Sequence, residues 1–95
     1  MTKAEAKKAD AVFCQVRRWR EQEHRGREFG IVVDYLWAIL TSTNPPTWST
    51  IEAISNVVCD IGRLARVTAD DLIRHERMLA TVGGRSLTEF AQDYA

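Results

Sequence analysis

The chain has little of what chemistry in a small domain usually requires. Its 95 residues include two cysteines, Cys14 and Cys59, two adjacent prolines, and two histidines, His24 and His75. Two cysteines without a CxxC spacing exclude a disulfide framework and suit a reducing compartment. Each is expected as a small filler residue away from the main apolar faces. The histidines lie in neither HExxH nor a zinc-like Cys/His spacing. No GxxxxGK[ST], GxGxxG or GxSxG is present, so the common signs of nucleotide binding and of a nucleophile elbow are missing. Arg74-His75-Glu76 carries reactive side chains, but adjacent helical residues point about 100° apart. His75 falls at the edge of its helix's apolar face, where a satisfied boundary histidine is expected. The reading is a protein with no catalytic machinery, no cofactor and no metal.

Charge of either sign is also lacking in excess. Lys and Arg number 13, Asp and Glu 13, and the formal net charge is zero. No overall field draws the chain to nucleic acid or to an anionic membrane. The longest apolar run, Phe29–Leu40, is short of the roughly 20 residues that span a bilayer. The opening MTKAEAKKADA lacks the apolar stretch of a secretory signal. A cytoplasmic protein without a membrane partner is expected. The neutral total hides an asymmetry. Residues 1–28 hold eight Lys/Arg and five Asp/Glu, and residues 29–95 hold five and eight. That polarity suits self-association as well as an outside partner.

What is present is helical. The composition, 45% hydrophobic and 27% charged, is that of an ordinary globular protein. The stretch FGIVVDYLWAIL organises the rest. At a helical period Phe29, Val32, Val33, Leu36, Trp37, Ile39 and Leu40 fall on one arc of roughly 200°, wider than a surface helix needs. Ile31, Val32, Val33, Tyr35 and Trp37 also suit a strand. Strict alternation is absent, however, and no second stretch offers a strand partner. The period predicts a central helix over 29–42, touched by neighbours on several sides.

Four more helices surround it. Thr2-Lys-Ala-Glu5 has the capping-box pattern, and Ala6, Ala9, Val12, Phe13, Val16 and Trp19 share one face of a helix over about 3–24 that Gly26 ends. Thr41–Pro46 breaks the chain, because two prolines cannot continue a helix. Ser49-Thr-Ile-Glu52 repeats the capping pattern. Ile51, Ile54, Val57, Val58, Ile61, Leu64 and Ala65 then face inward to about residue 66, with Glu52, Ser55, Asn56, Asp60 and Arg63 facing out. Thr68-Ala-Asp-Asp71 opens a fourth helix with acids at its first turn. Its inner face is expected from Ala69, Leu72, Ile73, Leu79, Ala80 and Val82, and Gly83-Gly84 stops it. Ser86-Leu-Thr-Glu89 opens a short fifth. The fold expected is all-α: one domain over 1–95, a small bundle of about five short helices around the central one.

Function is expected to be binding, with another protein or a second copy as partner. Small stand-alone domains of this class often serve as adaptors, regulators or mobile-element inhibitors. The candidate interface has two parts. One is the basic, aromatic end of the first helix, with Arg17, Arg18, Arg20, Arg25 and Arg27 around Trp19. The other is Trp37 and Trp48 beside the Pro-Pro turn, since Trp and Arg anchor interfaces. The alternative is nucleic-acid binding. It uses the same basic end, where Arg neutralises phosphate, or a degenerate helix-turn-helix within 70–95 marked by Ala80, Gly84 and Phe90. That second helix carries Glu89 and Asp93 and no Lys or Arg, which opposes phosphate contact.

Overall fold

The computed structural model describes residues 2–42 and 45–94. Thr43 and Asn44, part of the expected break at Thr41–Pro46, lie outside the described residues. Five α-helices and no strand are found among the described residues: α1 Lys3–Gln22, α2 Arg27–Leu40, α3 Trp48–Gly62, α4 Ala69–Met78 and α5 Leu87–Gln92. The all-α bundle expected from the sequence is the observed architecture. No helix of the described residues is long and apolar enough to cross a membrane.

Each start has a local cause. The Thr2 hydroxyl accepts from the Glu5 N–H while the Glu5 carboxylate accepts from the Thr2 N–H, a reciprocal capping box. Thr68 and Asp71 form a second such box at α4. Ser86 caps α5 by accepting from the Glu89 N–H. The cap of α3 is Thr47, not Ser49. It is the first hydroxyl residue after the prolines, and the helix begins two residues earlier, with Trp48 as its first residue.

The ends run shorter than the period suggests. α1 stops at Gln22, where Glu23 turns extended, and Gly26 is the N-cap of α2 rather than the stop of α1. Its φ of +96° reverses the chain, a conformation only glycine adopts without strain. α2 ends at Leu40 rather than 42, α3 at Gly62 rather than 66, and α4 at Met78 before a run of turns to Gly84.

α2 is central. Phe29, Ile31, Val32, Val33, Tyr35, Leu36 and Leu40 are all buried in it. α1 packs against α2 and α3, α4 packs against α2 and α3, and α5 lies on α2 and α4. This encirclement buries Ile31 and Tyr35 and leaves Trp37 and Ile39 half-buried. The Tyr35 hydroxyl donates to the Arg85 carbonyl at 2.6 Å, tying α2 to the loop before α5.

α4 is rotated from expectation. Ile73 is 54% exposed, and Ala69 and Ala80 are exposed, while Asp71 and His75 are buried with Leu79. His75 is not a boundary residue: its exposure is 0%. The turn has an electrostatic reason. Asp60 of α3, expected to face solvent, is half-buried and accepts hydrogen bonds from Arg74 and His75. Meeting that carboxylate brings the His75 side of α4 inward. Ser55, also expected outside, is buried on α3.

Candidate interaction surface at the edge of α1

The reversal at Gly26 folds α2 back along α1, so side chains near the end of one helix meet the start of the other. Trp19 packs edge-on against Phe29, with ring centroids 5.8 Å apart. Arg20 lies 3.3 Å from the Asp34 carboxylate, and its guanidinium sits 5.4 Å from the Trp37 ring centroid. Phe13 adds a tilted contact to Trp37 at 5.0 Å. Arg25 donates to the Glu23 carboxylate at 2.6 Å and covers the Phe29 ring at 5.1 Å. Between these groups is a cleft of about 340 Å³, whose walls include Trp19, Arg25, Phe29, Asp34 and Tyr94.

Tyr94 closes that cleft from the far end of the chain. Its hydroxyl donates to Asp34 at 2.9 Å. Burial raises the Tyr94 phenol above its ordinary range, and the neighbouring Asp34 charge raises it further. Asp34 thus joins α1, α2 and the segment after α5 through Arg20 and Tyr94.

The expected interface residues divide by what holds them. Arg20 and Arg25 are engaged by carboxylates within the chain. Arg17 and Arg18 are exposed on α1, and Arg27 is exposed at the first residue of α2. None of these three makes an ion pair within the described residues. Trp37 and Trp48 are both half-buried. Trp48 meets α1 through Lys8, whose ammonium is 5.5 Å from the ring centroid. Lys8 lies five residues before Phe13, a turn of about 140° around the helix. The two tryptophans therefore border α1 on different flanks and do not share one patch beside the prolines. Trp19 is core, at 5% exposure.

One polar cluster escaped the sequence reading. Arg74 donates to Asp60 at 2.6 Å and pairs with Asp71 at 2.8 Å, while His75 Nε2 lies 2.8 Å from the same Asp60 oxygen. The Arg74 hydrogen bond holds Asp60 below the usual carboxylate range against the opposing effect of burial, and His75 lowers it further. The Thr68 backbone N–H does the same for Asp71. His75 Nδ1 is buried without a hydrogen-bond partner among the described residues. His75 is sealed at 0% exposure, and its contact with Asp60, together with that of Arg74, joins α4 to α3. The sequence signal was an acid on α3 and a histidine on α4, fifteen residues apart and meaningless until the helices pack. Among the described residues, no group of three or more His, Cys, Asp or Glu side chains is placed to hold a metal ion.

Comparison with known proteins finds no matching family model, no matching curated relative and no matching solved structure.

Proposed function

We propose that the protein is a non-enzymatic cytoplasmic binder that engages a protein partner through α1, in the manner of an adaptor, regulator or inhibitor. The carrying observation is the border of α1: each half-buried tryptophan beside it meets a cation from that helix, Arg20 on Trp37 and Lys8 on Trp48. Half-exposed Trp beside Arg is the side-chain chemistry of a protein-interface anchor.

The nucleic-acid reading has less support. Two of the five arginines at the basic end are already neutralised by Glu23 and Asp34. Trp19, the ring among them, is buried and so cannot stack on a base. The helix-turn-helix register joins α4 to α5 through residues 79–86, longer than the three- or four-residue turn of that motif. α5 spans six residues, and its flanks hold an Arg85–Asp93 ion pair.

Two assays test this. In the first, labelled random-sequence duplex and single-stranded DNA are titrated with the protein at low salt. The expected result is no micromolar binding; binding that collapses as salt rises would replace the protein reading. In the second, immobilised wild-type chain and its Trp37→Ala variant are compared for captured proteins identified by mass spectrometry. The expected result is a protein retained by wild type and lost from a variant that remains folded.

A further inference from the structure

The outward strip of α1 is self-complementary about Cys14. Residues 7, 10, 14, 18 and 21 recur at steps of three and four, so they line one face of the helix. All five are exposed. In order they are Lys7, Asp10, Cys14, Arg18 and Glu21, and none of the charged four makes an ion pair within the described residues. Turned end for end about Cys14, the strip sets Glu21 opposite Lys7 and Arg18 opposite Asp10. A parallel pairing sets each charge against its own kind. Between Lys7 and Glu21, the two residues that flank the strip also come opposite each other, Arg17 and Ala11, whose small side chain lets the helices approach.

We propose that two copies of this chain meet here: α1 packs antiparallel on α1 of a second copy, with the two-fold axis at Cys14. Lys7–Glu21 and Asp10–Arg18 pairs then form twice across the axis. The inference rests on α1 being the docking element and names a second copy as its partner. The strip from Lys7 to Glu21 is about 22 Å long at 1.5 Å per residue. A two-helix contact of that length is smaller than the roughly 1,200 Å² of a stable interface, so the dimer is weak and reversible. Its exposed pairs are screened by salt. Cys14 does not create the contact but reports it. Across a two-fold axis with helices 8–10 Å apart, the two Cys14 residues come within the roughly 4.4–6.8 Å Cα separation of a disulfide.

The experiment follows disulfide dimer formation in the full chain with Cys59→Ser, using diamide as the oxidant that takes two electrons and two protons from the paired thiols. At low salt the Cys14-linked dimer is expected to form readily, and 0.5 M NaCl is expected to slow it at least fivefold. Arg18→Asp and Asp10→Arg each set like charges across the axis and are expected to slow it at least tenfold. The double variant Asp10→Arg/Arg18→Asp reverses both partners and is expected to return the rate to within twofold. All these positions are exposed, so thermal melts should match across the set. Equal rates in all four proteins, or a double variant no faster than the singles, would overturn the dimer. That outcome leaves α1 open to a different protein, whereas salt-sensitive DNA binding in the titration above removes the reading beneath both.

Discussion

The Tyr94 hydroxyl stands in the space that Gly30 leaves open, 2.8 Å from where a β-carbon on that residue would lie. A glycine in the first turns of the central helix is therefore the seat for a side chain from the end of the chain. The same hydroxyl donates to Asp34, one turn further along α2.

Gly30→Ala is expected to eject Tyr94 while leaving global stability nearly unchanged. The alanine gains about 0.5–1 kcal/mol of helix propensity, and the lost hydrogen bond costs about the same or slightly more. Hydrogen exchange should show α5 amides losing protection while those of α2 keep it. Unaltered exchange in α5 would show that Tyr94 does not anchor it. The phenol of Tyr94 should also titrate closer to its ordinary value in this variant. Tyr35, like Tyr94, is raised in the folded state, with burial the larger cause. Both phenols therefore stabilise the fold below about pH 10 and withdraw that contribution as pH rises through their folded values.

Asp60→Ala leaves His75 and Arg74 without their shared acceptor. The carboxylate is partly exposed, so the cost is expected to be about 2 kcal/mol rather than the larger penalty of a fully buried pair. Asp60 and Asp71 are both lowered in the folded state. Their contribution is complete above the unfolded aspartate range and is lost as pH falls below about 4. Urea melts at pH 7 and pH 3 check this. The wild type should lose stability on acidification, and Asp60→Ala should lose less.

The three tryptophans should separate by stability. Trp19→Ala empties a core position and is expected to cost about 3–5 kcal/mol. Trp37→Ala and Trp48→Ala remove half-buried rings and are expected to cost about 1–2 kcal/mol, less than a full core truncation. At roughly 4–8 °C per kcal/mol for a domain of this size, thermal melts resolve the difference. Equal losses at all three positions would make Trp37 and Trp48 core and remove them as interface anchors.

On α4, Ile73→Lys is expected to change stability by less than about 0.5 kcal/mol. Leu79→Ala, on the buried side, is expected to cost about 2–4 kcal/mol. Denaturant midpoints of the two variants report the rotation of α4 directly. Periodicity alone assigns both residues to the inner face, so a loss at Ile73→Lys as large as that at Leu79→Ala would restore that face.

Where a signal is local, the sequence carried it. Thr2, Thr68 and Ser86 cap helices because a hydroxyl three residues before a free N–H needs no help from the rest of the fold. At α3 the cap is Thr47, two residues before the Ser49 that the capping pattern marks. The candidate surface was legible in part. The arginines and tryptophans could be named, and so could Glu23, an acid interrupting the basic stretch two residues from Arg25, but Asp34, which holds Arg20, could not. Asp34 reaches Arg20 and Tyr94 only because α1, α2 and the chain's end converge.

The sequence by itself determined that five helices form and that Phe29–Leu40 lies among them, because capping and apolar period act within a few residues. Tertiary structure alone decided which way α4 turns, which edge of α2 stays half-exposed, and what covers Gly30. Those outcomes depend on pairs far apart in the chain, Asp60 with His75 and Gly30 with Tyr94. Their energies exist only once the helices are packed, and the contact of a buried histidine with a half-buried carboxylate can then outweigh the burial of one isoleucine.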